Sequence, residues 1–295
     1  MRVKRLLFLL FLTGWLCFGG REISIANAEN GDEAGMQRVA LLHFNFIEHG
    51  VEENIAKLEQ GIRLAGDRGA KFIVTPEMAV QGYHFMRFGR AYSVVDNIEE
   101  QISGIMALAE KYQAYIFLGT AVLDRPGAKP YNSCLAIGPQ GKIIGRHDKL
   151  SIHSLSEKWA DEGKGNHAVD CGGIKIGMLV CADAWFDENA EALKKLGAEA
   201  VVISAAWPPG FGGPPENAWL RCSKASGMLP VIVCNQTGYD GHLNCNIAMS
   251  ALITNGELRM SYSSPDEALL LADIDLKSGT VSRREFEVVR LSDKC

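Results

Sequence analysis

Three segments of this 295-residue chain end an apolar run on a side chain that can do chemistry. Residues 72–77 read Phe-Ile-Val-Thr-Pro-Glu. A carboxylate just past a buried strand loses part of its water, which raises its pKa and makes Glu77 a better base near neutrality. Residues 145–150 read Gly-Arg-His-Asp-Lys-Leu, placing Lys149 where an ammonium could hold a developing oxyanion or polarise a carbonyl. Residues 176–183 read Ile-Gly-Met-Leu-Val-Cys-Ala-Asp. Here Cys181 takes the last strand position before a turn, the mechanics of a nucleophile elbow: the thiol is presented while the following amides point at the same spot. Each group alone also has an ordinary structural reading, as a loop carboxylate or helix cap, a solvated charge, and a small buried hydrophobe.

The elements that must position these groups follow from periodicity. Residues 38–44 read as a buried strand, and apolar residues at 51, 55, 58, 62 and 65 trace one helical stripe that Gly69 ends. Residues 71–75 form the strand that leads into Glu77. Ile98, Ile102, Ile105, Ala109 and Tyr112 share a face of a second helix, and residues 115–122 are a strand. A hairpin turns at Gln140-Gly141, with residues 132–137 and 142–146 as its arms. Residues 174–180 run straight into Cys181. Helices over 188–196 and 218–226 alternate with strands over 200–204 and 230–235. A hairpin at Asn255-Gly256 and a strand over 269–275 close the pattern. Helices follow strands early, while hairpins join the later strands. That mixture predicts α/β layers on a partly antiparallel sheet, in one domain over 36–295.

In this order the three segments resemble the nitrilase superfamily of carbon–nitrogen hydrolases. T-P-E-M-A-V-Q-G-Y at 75–83 is similar to that family's glutamate segment. H-D-K-L at 147–150 resembles its lysine segment, and G-M-L-V-C-A-D-A-W-F at 177–186 its cysteine segment. G-A-E-A-V-V-I-S-A-A-W-P at 197–208 and V-C-N-Q-T-G at 233–238 resemble stretches downstream of the nucleophile. The spacing also agrees, with Lys149 lying 72 residues past Glu77 and Cys181 32 past Lys149. The resemblance runs from about Arg38 to Val289. It implies an α/β fold, a four-layer α-β-β-α sandwich that pairs as a homodimer or higher homo-oligomer. It further implies Glu77 as base, Cys181 as nucleophile, and Lys149 with the Ala182 amide as oxyanion donors. Glu157, eight residues past Lys149, matches a second glutamate that bonds the lysine and orients the substrate. The chemistry needs no cofactor and no metal.

The resemblance is looser about substrate. Many members carry Arg four residues past the cysteine, where this chain has Trp185. A tryptophan there is similar to N-carbamoylputrescine hydrolases and some aliphatic amidases, and the missing Arg removes a bidentate clamp for a substrate carboxylate. Trp185 could wall a pocket, face a cation or simply pack. Tyr83 and Trp207 are candidate pocket linings. Asp187 and Ala182 depart from the usual Pro and bulkier residue, which leaves the local loop shape open. The resulting expectation is hydrolysis of an amide or N-carbamoyl amine through a Cys thioester. A nitrilase acting on nitriles and a non-catalytic exported binding protein on the same fold are the alternatives.

Composition bounds the remaining possibilities. With 47% hydrophobic and 22% charged residues the chain is ordinary globular material, long enough for a large core. Arg2, Lys4 and Arg5, an apolar run over 6–18 and Ala26-Asn27-Ala28 have the layout of a secretory signal, with a membrane anchor as the alternative. Cleavage after Ala28 would take the formal charge from −5 to −8. Such an acidic chain has no electrostatic footprint for nucleic acid, and a small molecule is the expected partner. Seven cysteines would remain, an odd number without C-x-x-C pairs or zinc-ligand spacing. An exported chain (periplasmic or extracellular) with no evident disulfide framework departs from the usual compartment rule.

Overall fold

The computed structural model describes residues 35–46, 49–210 and 214–291; the export signal read at 1–28 lies outside them. Two sheets carry the fold, and each has three parallel strands at its centre. In the first, β1 (Met36–His43), β2 (Phe72–Val74) and β3 (Tyr115–Val122) run parallel. The hairpin β4 (Tyr131–Gly138) and β5 (Lys142–Asp148) extends one side, and β12 (Ala268–Asp275) and β13 (Glu287–Arg290) return antiparallel on the other. The second sheet repeats the plan. β7 (Lys175–Val180), β8 (Ala200–Ala205) and β9 (Val231–Asn235) are parallel, flanked by β6 (His167–Asp170) and by the hairpin β10 (Met249–Thr254) and β11 (Glu257–Ser263). Parallel neighbours need crossovers, and these are helical: α1 (Val51–Gly66), the short α2 (Ile98–Gln101) with α3 (Ser103–Tyr112), α4 (Asp187–Lys195) and α5 (Pro215–Ala225).

Strand alternation sorts the side chains into layers. Val39, Leu41, Phe72, Val74, Phe117 and Cys134 point towards the second sheet and join one core with Met178, Val180, Val202 and Ile232. The intervening Ala40, Leu42, Ile73, Ile116 and Leu118 point outward under Leu58, Ile62 and Ala65 of α1 and Ile105, Leu108 and Ala109 of α3. Trp219, Cys222, Leu193 and Ala190 of α5 and α4 cover the second sheet. The result is the four-layer α-β-β-α sandwich expected.

Two features differ from the periodicity reading. The helix expected from Ile98 to Tyr112 is interrupted at Ile102, whose backbone (φ −104°, ψ 15°) leaves the helical region, so the single apolar stripe spans α2 and α3. The edge strands β6 and β13 have no counterpart in that reading. Four residues half open to solvent supply too short an alternation to recognise.

Candidate active site

All three chemical segments reach the same end of the sandwich because each follows a strand whose partner strands fix its height. Glu77 follows β2 across Thr75-Pro76. Behind it, Gly119 of β3 has no room for a side chain: a Cβ there would meet the Pro76 carbonyl oxygen at 2.1 Å and Glu77 Cα at 2.9 Å. The Thr75 hydroxyl accepts from the Gly119 amide at 2.9 Å and the Thr75 amide donates to the Phe117 carbonyl at 3.0 Å, locking the turn against β3. Met78 and Cys181 both take left-handed backbone, at φ 55° and 48°. Non-glycine residues there store strain of about 1–3 kcal/mol, which the surrounding packing must hold. Cys181 opens a 3-10 turn (Cys181–Trp185) straight off β7, so the elbow expected from the sequence is present.

Asp183 pins that turn to the lysine loop. Its Oδ1 accepts from the amides of Leu150 and Ser151, at 3.0 and 2.8 Å, and its Oδ2 bonds His147 Nε2 at 3.0 Å. Cys181 and Lys149 therefore belong to one buried, hydrogen-bonded unit.

Below the thiol lies a closed network of charge. Lys149 Nζ donates to Glu77 Oε1 at 2.7 Å and to Glu157 Oε1 at 2.6 Å. Asn132 Nδ2 donates to the same two oxygens, at 2.7 and 3.0 Å. Glu77 Oε2 accepts from the Ala206 amide at 3.0 Å, and Glu157 Oε2 from the His153 amide at 2.7 Å. A lysine has three donors, so one hydrogen of Lys149 is left uncommitted by these two bonds.

Two carboxylates share one cation away from water, so their proton affinities separate. Burial raises Glu77, and Glu157 adds to it against the pull of Lys149, bringing it to about 7. Burial also works to raise Glu157, but Lys149 and the hydrogen bonds from Lys149 and His153 outweigh it, and Glu157 sits below its usual range. Burial would lower Lys149; the two glutamates more than reverse this and keep it an ammonium. The Cys181 thiol is pushed well up by burial and then by Glu77, so it rests protonated.

A cavity of about 920 Å³ opens above this network, and Cys181, 6% exposed, reaches it from below. Tyr83, Ala182, Trp185 and Trp207 all line it, as does Lys149. The Tyr83 hydroxyl bonds Ser156 Oγ at 3.1 Å. Trp185 does two of the things open to it: it walls the cavity, 5.9 Å from the Trp207 ring, and it faces the Arg221 guanidinium at 5.8 Å. Asp187 opens α4 and pairs with Arg221 at 3.0 Å. The site residues read from the sequence thus come together. Asn132 and Asp183 were not among them. Asp183 lies two residues past the cysteine but reads as an ordinary turn residue, and Asn132 sits beside Ser133 at the polar start of a strand that turns apolar, which marks neither residue out. The six described cysteines, 134, 171, 181, 222, 234 and 245, are all buried free thiols.

Comparison with known proteins agrees with this architecture. The family model for carbon-nitrogen hydrolases matches residues 38–284. A citrullinase of Francisella tularensis subsp. tularensis is 30% identical over 217 residues, covering 68% of this chain and 73% of that one. A nitrilase of Pyrococcus abyssi is 30% identical over 173 residues, covering 58% of this chain and 65% of that protein. Among solved structures, an amidase from Nesterenkonia sp. superposes with a TM-score of 0.71 at 19% identity, over 81% of this chain and 90% of that one. The chain belongs to the carbon–nitrogen hydrolases of the nitrilase superfamily.

Proposed function

We propose that the protein hydrolyses a small amide or N-carbamoyl amine through a thioester on Cys181, with Glu77 as base, Lys149 and the Ala182 amide as oxyanion donors, and Glu157 holding the lysine. The observation that carries this is the Glu77–Lys149–Glu157 network, closed by hydrogen bonds of 2.6–2.7 Å beneath a cysteine at the floor of a cavity.

A thiol with so high a proton affinity does not ionise spontaneously at neutral pH, so its proton leaves as the bond forms. Glu77 takes that proton while Sγ attacks the carbonyl carbon. The oxygen that gains charge meets the uncommitted Lys149 hydrogen and the Ala182 amide, donors that contribute a few kcal/mol each at such positions. Glu77 then returns the proton to the departing nitrogen, which leaves as ammonia or an amine. Water, deprotonated by Glu77, attacks the thioester, and the acid is released as Glu77 returns that proton to the departing Cys181 sulfur. A carboxyl group with a pKa of about 7 suits this double use, because it can accept and return a proton near neutrality. The relatives named citrullinase and amidase support a carbonyl substrate; acid against amide as product on a nitrile panel separates this from a nitrilase.

The test is ammonia release across amides, ureides, carbamoyl amines and nitriles, with Cys181→Ala beside the parent protein. Turnover should vanish in the variant, and brief incubation of Glu77→Gln with substrate should leave an acyl adduct visible by intact mass. Undiminished ammonia release by Cys181→Ala overturns the assignment.

A further inference from the structure

The cavity is also lined by polar side chains that the hydrolytic chemistry does not use. The loop that follows Glu77 supplies two of them. His84 is 8% exposed and lines the cavity, and its Nδ1 bonds the Asp240 carboxylate. Asp240 is itself held by the amides of His242 and Leu243, at 2.8 and 2.6 Å, so the ring cannot turn freely. With Nδ1 committed to Asp240, Nε2 is the ring atom left for a ligand, and a protonated imidazole donates from both nitrogens. One helical turn further, the Arg87 amide donates to the His84 carbonyl at 2.9 Å and its side chain also lines the cavity. The Arg87 guanidinium has no ion pair or hydrogen bond among the described residues. The other permanent cation of the wall, Lys149, is already shared by two carboxylates. Glu162 contributes the wall's single acidic side chain, and it too is exposed and unpaired among the described residues.

We infer that the substrate carries an α-amino acid head at the end away from the scissile bond, its carboxylate held by Arg87 and His84 and its ammonium by Glu162. The inference rests on the hydrolase reading above and names the substrate class of that site. Three physical points lead to it. A cavity of about 920 Å³ is far larger than a lone carboxamide requires, so most of it must receive the rest of the molecule. A guanidinium fits a carboxylate in a bidentate fork, and a pinned imidazole three residues earlier on the same loop adds direction to charge. A wall with one unpaired cation and one unpaired anion is neutral towards a zwitterion but leaves one charge unanswered by a plain acid or a plain amine. The carboxylate clamp missing at Trp185 is then supplied from the loop just after the glutamate segment instead of from the cysteine segment.

Four ureides that differ by one group test this. They are 2-amino-5-ureidopentanoate, 5-ureidopentanoate (no ammonium), 4-ureidobutylamine (no carboxylate) and butylurea (neither). The amino acid should have the highest kcat/KM, at least tenfold above the amine and severalfold above the plain acid, with the difference mainly in KM. Arg87→Ala and His84→Gln should each reduce the amino acid-to-amine ratio about tenfold, and Arg87→Lys should keep part of it. Glu162→Gln should reduce the amino acid-to-acid ratio. Calorimetric binding of the same four compounds to Cys181→Ala reads recognition without turnover. Binding that follows the predicted order with no turnover in the parent protein would fail the hydrolase reading alone. An amine or neutral ureide as the best substrate and tightest ligand, or ratios unmoved by Arg87→Ala and His84→Gln, would overturn the amino acid head. A carboxylate preference without an ammonium preference would overturn it in favour of a plain acid.

Discussion

At the scale of single residues, the proposed base is defined by what surrounds it. Glu77 has the same carboxyl group as Glu157, 8 residues beyond Lys149, yet their proton affinities move in opposite directions. Each accepts one backbone amide, but Glu157 has the shorter one, from His153 at 2.7 Å against 3.0 Å from Ala206 to Glu77, and the shorter bond from Lys149; Glu77 carries the cost of the second buried negative charge. The acid limb of kcat/KM should therefore fall near pH 7, well above an ordinary glutamate. The sign follows from the role: Glu77 must be a carboxylate to take the thiol proton, so the rate climbs with pH up to about 7 and levels off above it. A limb near pH 4.5 in a pH–rate profile would mean that Glu77 is not the base.

Asn132 acts through the same two oxygens. Its amide donates to both carboxylates, and hydrogen bonds to charged groups contribute about 1.5–3 kcal/mol. Asn132→Ala should lower kcat/KM by about ten- to a hundredfold, the rate equivalent of that range. It should also move the acid limb to higher pH, since the ionised form of Glu77 loses a donor. A purely structural role would reduce folded protein without moving the limb.

At the scale of elements, the site depends on the turn after β2 lying directly against β3. β2 is only three residues long, and the turn to Glu77 rests on the bare backbone of Gly119. Gly119→Ala should destabilise the protein by about 3 kcal/mol, since the carbonyl at 2.1 Å is backbone and cannot step aside as a side chain would. Denaturant unfolding checks the stability, and activity measured below the transition should fall further than the folded fraction does.

At the scale of the whole molecule, a buried histidine links the sheets. His43 closes β1, yet its Nδ1 bonds Ser250 Oγ of β10 at 2.9 Å and its Nε2 the Ser264 carbonyl at 3.3 Å. Burial drives its pKa from 6.5 down to about 4, against the pull of the hydrogen bonds. A histidine lowered in the folded state stabilises fully above its unfolded pKa and loses that contribution as pH falls towards the folded one. Stability should therefore decline between pH 6.5 and about 4, by on the order of 3 kcal/mol from this group. Urea unfolding at pH 7 and pH 4.5 should show a smaller difference for His43→Gln than for the parent protein; equal differences would remove His43 from the acid response.

Much of this molecule could be read along the chain. The stripe at 51, 55, 58, 62 and 65 became α1, residues 115–122 became β3 unchanged, and the turns at Gln140-Gly141 and Asn255-Gly256 join the hairpins expected. These signals are local: a helix or strand buries a periodic face, and the period shows within a dozen residues. The chemical types of Glu77, Lys149 and Cys181, and their order and spacing, were equally visible. Tertiary structure alone decided how they work. Asn132 meets a carboxylate 55 residues before it and another 25 after it. Asp183 ties down amides 32 and 33 residues away, and His84 and Arg87 line one cavity with Glu162 only because separate loops meet there. Proton affinity, strain and cavity shape arise from burial and from partners distant in sequence. No window along the chain contains both sides of such a contact.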